Sequence, residues 1–163
     1  MKKLLYIFLI FIGCSGTVLE QEKLFEKELV GLVKPVNWFG LKKLTLDSIS
    51  KSKIDFEIYN LPRYKGINKL KVIVFASYFC DDCDKYLPSI IYLLKSLNIN
   101  DENLLLIGIN KYFEEPSGNY EKYKIENTPT ILLTIDEKEL FRILINNDNW
   151  IKEFNDLYRK YFK

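Results

Sequence analysis

Two cysteines separated by two residues, Cys80 and Cys83, carry the clearest chemical signal in the sequence. They follow the pattern of a buried strand and open a helical pattern. Cys80 is therefore expected at a helix N-terminus, where unpaired N–H groups and the helix dipole favour the reactive thiolate. One helical turn brings Cys83 back to the same side. We predict that Cys80 attacks a substrate disulfide and that Cys83 resolves the mixed disulfide.

A CxxC pair also occurs in zinc sites and in structural disulfides. Structural zinc takes four Cys or His ligands, whereas this chain contains no histidine and one further cysteine, Cys14. A disulfide that closes so short a loop removes few unfolded conformations and stabilises little. Redox chemistry is the favoured interpretation, and we expect no metal ion and no cofactor.

The composition excludes several other functions. Without histidine there is no Ser-His-Asp or Cys-His catalysis, no HExxH zinc site and no CxxCH haem attachment. The charges, 24 basic and 22 acidic, leave a net of +2 and no strong basic field, so nucleic-acid binding is not expected. A length of 163 residues, 48% of them hydrophobic, fits one compact domain with a short appendage.

The first residues have the pattern of an export signal. Two lysines precede an uninterrupted apolar run from Leu4 to Ile12. This run is shorter than the roughly 20 residues of a bilayer span and is typical of a secretory signal peptide. The following Phe11-Ile12-Gly13-Cys14 resembles the lipobox of bacterial lipoproteins, although Phe11 replaces the usual Leu, Val or Ile.

We therefore expect cleavage before Cys14 and lipidation of that cysteine. Residues 1–13 would be the signal peptide, residues 14–35 a lipid-anchored tether and helix, and residues 36–163 the folded domain. The protein would lie outside the cytoplasm, attached to the membrane by its acyl chains, on the periplasmic side or at the cell surface. An ordinary signal peptide or an uncleaved N-terminal anchor is the alternative.

The segments before residue 70 have weaker patterns. Helical spacing predicts a helix over Leu19 to Val33, stopped by Pro35. Trp38 and Phe39 are expected in the core. Alternation of apolar and polar residues predicts two short strands, with a hairpin around Ser48 to Ser52. The alternating apolar positions are Leu44, Leu46, Ile54, Phe56 and Ile58.

From Leu70 onward the pattern is β-α-β followed by β-β-α. A parallel right-handed crossover should join the first two strands, and a tight connection at Asp136 to Lys138 should pair the last two antiparallel. The prediction is an α/β fold, a mixed sheet with helices on both faces and an N-terminal helix and strand extension. The predicted strands are Leu70–Ala76, Leu104–Ile109, Ile131–Ile135 and Glu139–Ile145, and the predicted helices are Cys80–Leu97 and one capped by Asn147 or Asp148.

The sequence resembles the thioredoxin superfamily from about Ile54 to the C-terminus. The resemblance implies a thioredoxin-like fold in which Pro129 is cis and lies against the cysteines, and Thr128 offers backbone groups to a substrate peptide. With the export signal, the chain is most similar to membrane-tethered, extracytoplasmic proteins of the TlpA/ResA kind. The matching residues are the strand Val72–Ala76, Cys80, Cys83, Pro88 and Thr128-Pro129-Thr130.

Three departures from the family bear on redox behaviour. Phe79 stands where Trp is usual, and Val74 stands where thioredoxin has a buried Asp that helps to deprotonate the resolving thiol. Asp81 and Asp82 lie between the cysteines. Each carboxylate would oppose a thiolate at Cys80 by on the order of 1 kcal/mol. The pair is therefore expected to be a reductant rather than a strong oxidant.

Together these features predict a thiol-disulfide oxidoreductase that reduces disulfides of extracytoplasmic proteins and is itself reduced by a membrane electron donor. Tyr78 and Phe79, with Thr128 and Pro129 across from them, would form an apolar rim for the substrate peptide, although Tyr78 and Phe79 also suit the core. The alternative is a non-catalytic, thioredoxin-fold surface lipoprotein that acts in binding and has a structural disulfide.

Overall fold

The computed structural model describes Lys23 and residues 29–59, 61–62 and 64–162. The predicted signal peptide, the lipidation site at Cys14 and most of the helix predicted over Leu19 to Val33 lie outside these residues. The elements in chain order are β1 (Gly31–Val33), α1 (Pro35–Lys42), α2 (Ser48–Tyr59), a 3-10 helix (Ile67–Lys69), β2 (Leu70–Ser77), α3 (Asp81–Ser96), β3 (Leu104–Ile109), α4 (Asn119–Lys122), β4 (Thr130–Ile135), β5 (Lys138–Leu144) and α5 (Trp150–Tyr161).

The five strands form one mixed sheet with the order β1-β3-β2-β4-β5. Strands β2 and β3 are parallel, whereas β4 is antiparallel to both β2 and β5. Strand β1 pairs antiparallel with β3 at the edge. The α/β sheet, with its parallel β-α-β unit and terminal β-β-α unit, is a thioredoxin-like fold, as predicted.

Alternate residues of the central strands enter two separate cores. Val72, Val74 and Ala76 of β2 lie in the larger core, which is packed beneath α1, α2, α3 and α5. Ile73 and Phe75 lie in a smaller core on the other face. That face is covered by the connection between β3 and β4, and its helix α4 has four residues. The flanking helices are therefore distributed unequally between the faces.

The helix predicted through Val33 is wrong at its C-terminal end, where β1 lies. Gly31 and Val33 are buried and Leu32 is exposed, which is the alternation of an edge strand. Pro35 begins a helix instead of stopping one. It occupies the first turn of α1, where a missing N–H costs no hydrogen bond.

The two strands predicted before residue 60 are also wrong. The segment around Leu44 is neither helix nor strand, and α2 occupies Ile54 to Ile58. The Asp47 carboxylate accepts a hydrogen bond from the Ser50 N–H at 2.8 Å and so caps the start of α2. Ile54 is fully buried, whereas Phe56 is 71% exposed. The apolar residues therefore do not share one face, as they would in a strand.

The chain at Leu29 packs closely against Gly108 of the sheet. A Cβ at Gly108 of β3 would overlap the carbonyl oxygen of Leu29 and approach the Trp38 ring to 3.1 Å. Only glycine fits this crossing without moving the backbone. Trp38 is fully buried, as predicted, and packs α1 against this end of the sheet.

The last helix begins slightly later than predicted. Its N-cap is Asn149, not Asn147 or Asp148, and the Asn147 side chain instead accepts a hydrogen bond from the Asn149 N–H at 2.8 Å. Phe154, Tyr158 and Phe162 of this last segment are buried. Within the described ranges, no helix has both the length and the apolar character needed to cross a bilayer.

Candidate active site

The cysteine pair lies where β2 passes into α3. Strand β2 ends at Ser77, and Cys80 is the N-cap of α3, with an extended backbone (φ −108°, ψ 110°). The Cys80 sulfur accepts a hydrogen bond from the backbone N–H of Cys83 at 3.1 Å. A sulfur atom thus satisfies one of the N–H groups that a helix start leaves without a partner.

The two thiols differ in accessibility. Both are free thiols; Cys80 is half-buried, whereas Cys83 is fully buried, with 0% of its surface exposed. The Cys83 sulfur accepts a hydrogen bond from the Ser77 N–H at 3.4 Å, beneath the end of β2. An incoming disulfide can therefore reach Cys80 but not Cys83.

The Thr128–Pro129 peptide bond is cis, and it lies beside the cysteines. The Cys80 thiol donates a hydrogen bond to the Thr128 carbonyl oxygen at 3.1 Å, across 48 residues of chain. The Pro129 carbonyl accepts from the Ile145 N–H at 3.0 Å, which ties this loop to the end of β5. The structure thus brings Thr128 to the cysteine pair.

The pKa of Cys80 is lowered to about 7. The largest cause is a hydrogen bond from the Cys83 side chain, which stabilises the thiolate. Partial burial raises the pKa. Hydrogen bonds with the Thr128 side chain and with the Cys83 backbone lower it further. At neutral pH about half of Cys80 is therefore thiolate, the nucleophilic form.

The pKa of Cys83 is shifted in the opposite direction. Burial raises it strongly, and the hydrogen bond to Cys80 raises it further. A proton shared between two adjacent thiols favours one thiolate and opposes a second. Cys83 therefore keeps its proton in the resting site and leaves the negative charge on Cys80.

Asp81 and Asp82 lie in the first turn of α3, where carboxylates interact favourably with the helix dipole. The charge of Asp82 raises the pKa of Cys80, but it is the smallest of the five causes acting on that thiol. The net pKa shift of Cys80 is downward, so carboxylate repulsion does not cancel the hydrogen bonds to the thiolate.

The predicted aromatic rim is adjacent to Cys80. Phe79 is 42% exposed, and its ring meets the partly buried ring of Tyr78 edge-on, with the centroids 5.2 Å apart. The Phe79 N–H is held by the Ser77 hydroxyl at 3.4 Å. Phe79 is therefore an accessible apolar side chain on the residue that precedes Cys80.

The sequence patterns missed an ion pair beside the site. Lys42, at the end of α1, contacts the Asp84 carboxylate at 2.8 Å, and its Nζ lies 3.8 Å from the centre of the Tyr78 ring. The side chain of Lys42 is only 13% exposed. This lysine joins α1 to both the rim and the first turn of α3. Its segment was predicted without a helix, so no local signal pointed to the contact.

Val74 and Pro88, two positions at which the sequence was compared with the thioredoxin superfamily, are buried. Val74 is fully buried in β2, so no carboxylate occupies the position where the resemblance implies an Asp. Pro88 lies buried inside α3. The second carboxylate oxygen of Asp84 is buried and has no hydrogen-bond partner among the described residues.

Similar solved structures are thioredoxins. Thioredoxin 1 of Thermosipho africanus is 24% identical, with an alignment covering 56% of this chain and 92% of that one and a TM-score of 0.44. The Fasciola hepatica thioredoxin is 18% identical (69% and 94% covered, TM-score 0.41). Oxidised thioredoxin O2 of Arabidopsis thaliana is 13% identical (74% and 94% covered, TM-score 0.42).

No family model and no curated protein matches the chain. The strand order and the position of Cys80 and Cys83 at the start of α3, rather than these alignments, are the basis for the thioredoxin-like fold.

Proposed function

We propose that the protein is a thiol-disulfide oxidoreductase that reduces disulfides of proteins outside the cytoplasm. The asymmetry of the two thiols supports this function most directly. Cys80 is accessible, is the N-cap of α3 and has a pKa of about 7, whereas Cys83 is sealed beneath it and keeps its proton. A purely structural disulfide would need no such difference.

In the first step the Cys80 thiolate attacks one sulfur of the substrate disulfide. A bond forms between Cys80 and that sulfur, the substrate S–S bond breaks, and the second substrate sulfur leaves as a thiolate that takes a proton from water. The Cys83 N–H, 3.1 Å from the Cys80 sulfur, orients this atom during the attack.

In the second step Cys83 loses its proton to solvent and attacks the Cys80 sulfur. The mixed disulfide breaks, and the remaining substrate thiolate leaves and is protonated. The substrate has gained two electrons and two protons, and Cys80–Cys83 is now the disulfide. Because burial raises the pKa of Cys83, this step is expected to be slower than the first.

The direction of electron flow follows from the thiolate at Cys80. Its pKa of about 7 is close to that of the thioredoxin nucleophile, whereas the DsbA nucleophile stands near 3.5. A modestly stabilised thiolate makes the dithiol form only modestly favourable. We therefore expect a reduction potential nearer to about −270 mV than to about −120 mV.

The proposed location rests on the sequence pattern at residues 1–14. Lipidation at Cys14 would hold the folded domain, of which β1 is a part, at the membrane surface in the manner of TlpA/ResA proteins, through the chain between Cys14 and β1. A membrane electron donor would restore the Cys80–Cys83 dithiol after each turnover.

Reduction of insulin by a dithiol donor tests the activity. The wild-type protein should accelerate the reduction, Cys80→Ser should abolish the acceleration, and Cys83→Ser should accumulate a mixed disulfide with the substrate. Cys14→Ser, which leaves the pair intact, is the matched control and should retain activity. Absence of turnover in the wild-type protein, with a Cys80–Cys83 disulfide that resists mild reductant, would contradict the proposal.

A second function, binding without turnover, is favoured by one observation. Val74, which is fully buried, stands where the resemblance implies an Asp, so this position supplies no carboxylate to take the Cys83 proton. A surface protein that acts in binding and whose Cys80–Cys83 disulfide does not turn over would fit this alternative.

Metabolic labelling with palmitate tests the anchor separately. Label in the wild-type protein and its absence in Cys14→Ser, with release of that variant from the membrane fraction, is the expected result. Cleavage without label would indicate an ordinary signal peptide.

A further inference from the structure

We propose that the disulfides reduced at Cys80 are flanked by lysine or arginine, so that the substrate segment is cationic. The inference rests on the proposed function, since it concerns the substrate of the same thiol. Two independent observations support it: unpaired carboxylates on the two residues after Cys80, and an exposed aromatic ring on the residue before it.

The carboxylates nearest to Cys80 in sequence are exposed. Asp81 and Asp82 occupy the first turn of α3, and neither makes an ion pair or a hydrogen bond to another described residue. The charge of Asp82 is felt at the Cys80 sulfur, because it raises the pKa of that thiol. Glu126, also exposed, lies two residues before Thr128 on the opposite side of the site.

The neighbouring cations are mostly neutralised. Lys42 is paired with Asp84 at 2.8 Å, and Lys85 is paired with Asp148 at 3.0 Å. Lys111 is exposed in the connection after β3, where its Nζ lies 5.3 Å from the centre of the Tyr112 ring. Lys124 of the same connection is also exposed and makes no ion pair with another described residue. The Cys80 thiolate, Asp81, Asp82 and Glu126 outnumber these two lysines.

The aromatic rim can also receive a cation. The Lys42 ammonium already lies 3.8 Å from the centre of the Tyr78 ring, so one ring of the rim makes a cation–π contact within the protein. Phe79 is 42% exposed and holds no cation among the described residues. The stem of a substrate lysine, or the plane of an arginine, can pack on this ring while its charge faces Asp81 and Asp82.

Charge complementarity of this kind acts chiefly on the rate of encounter. Opposite charges on the two partners speed association, like charges slow it, and salt screens both effects. A cationic disulfide should therefore react faster than an anionic one by about tenfold or more at low ionic strength. At high salt the difference should largely disappear.

Three cystine peptides of equal length test the proposal, with the disulfide flanked by lysines, glutamines or glutamates. The reduced protein is mixed with each peptide, and the second-order rate of thiol release is measured at about 20 mM and about 500 mM salt, on either side of the screening range. The expected order is lysine, glutamine, glutamate at low salt, converging at high salt.

Charge-removing variants locate the effect. Asp81→Asn with Asp82→Asn should reduce the lysine-to-glutamate rate ratio several-fold, whereas Asp136→Asn, the same change at the turn between β4 and β5, should leave it unaltered. Removal of Asp82 also lowers the pKa of Cys80 and so changes all three rates together. The ratio between peptides therefore separates recognition from nucleophile strength.

The outcomes separate the two proposals. Equal rates for all three peptides, or fastest reduction of the glutamate peptide, would overturn the cationic preference and leave the reductase function standing. Failure to reduce any peptide would overturn the proposed function itself, and the substrate inference with it. A lysine preference that survives in the double variant would overturn the role of Asp81 and Asp82.

Discussion

The two faces of the sheet are covered in different ways, and each supplies one half of the site. The larger core, beneath four helices, holds α3 and therefore both cysteines. The smaller core lies beneath the connection between β3 and β4, which continues into Thr128 and Pro129. The reactive sulfurs thus lie on the side of the sheet with the larger core. The loop that faces them follows the connection that covers the smaller core.

Polar contacts stabilise the connection that covers the smaller core. The Glu115 carboxylate accepts hydrogen bonds from Ser117, from the Asn119 N–H and from the Tyr120 N–H, which fold the connection into α4. Arg142 of β5 donates to the Tyr123 carbonyl at 3.0 Å just after α4. The comparison suggests that apolar packing holds the cysteines in place, whereas a few hydrogen bonds hold the loop opposite them.

Matched phenylalanine truncations test this difference most strongly. Phe154 of α5 and Phe75 of β2 are both fully buried, one in each core. Phe154→Ala should cost about 4 kcal/mol of unfolding free energy and Phe75→Ala about 3 kcal/mol, because the connection over the smaller core can settle into the space. Urea unfolding measures both. A larger loss for Phe75→Ala would contradict the comparison.

Glu115→Gln should have the next largest effect. Burial opposes the charge, but the hydrogen bonds to Ser117, Asn119 and Tyr120 outweigh it and hold the pKa of Glu115 below its usual value. An amide nitrogen would face these donors, at a cost of about 1–2 kcal/mol. With a folded pKa below the unfolded value of about 4.3, the stabilisation is present above that pH and is lost as pH falls through the folded pKa.

The stability difference between wild type and Glu115→Gln should therefore shrink as the pH is lowered below about 4.3. Glu102→Gln, at an exposed carboxylate, is the control and should change little at any pH. A difference that stays constant down to pH 2 would show that the ionised form of Glu115 is not what stabilises the connection.

Arg142→Lys should have a smaller effect. The guanidinium binds Glu139 at 2.6 and 2.5 Å and reaches the Tyr123 carbonyl, a fork that one ammonium cannot reproduce. The expected loss is about 0.5–1 kcal/mol, with faster proteolysis between residues 110 and 129. Arg159→Lys, at an exposed position of α5, should change neither. Equal proteolysis of both variants would show that the Arg142 hydrogen bonds do not hold this connection in place.

The smallest expected effect is on Cys80 itself. Its alkylation rate, followed at the Cys80 peptide by mass spectrometry, should reach half its maximum near pH 7. Asp82→Asn should lower this midpoint by less than one pKa unit, since Asp82 is a minor cause of the pKa, and Asp81→Asn should lower it less. A midpoint near pH 9 would contradict the activated thiol.

The sequence predicts β2 to β5 and α3 to within about two residues, because their patterns leave little choice. The runs Leu70–Ala76 and Leu104–Ile109 are continuously apolar, as expected for strands that are buried on both faces. Helix α3 has a long apolar stripe. Local pattern and tertiary environment agree in these segments.

The two errors before residue 70 have one physical cause. Residues four apart lie on the same face of a helix and also on the same face of a strand. Val33, four residues after Leu29, is therefore compatible with a helix but lies in β1, and Ile54 and Ile58 are compatible with a strand but lie in α2. Phe56, an apolar residue on the exposed side of α2, obscures the helical period in the sequence.

The site divides in the same manner. The spacing of Cys80 and Cys83 predicts their role, and the resemblance to a known motif predicts the role of Thr128 and Pro129. The Lys42–Asp84 pair joins segments 42 residues apart, so no local pattern contains it. Its discovery required α1 to be placed against α3.

The hydrogen bond from the Cys83 amide to the Cys80 sulfur links the backbone to the charge of the site. A thiolate accepts this bond more strongly than a thiol or a disulfide sulfur does. The NMR resonance of that one amide proton should therefore shift as Cys80 titrates and shift again when the pair is oxidised. A single backbone signal would then report both the protonation state and the oxidation state of Cys80.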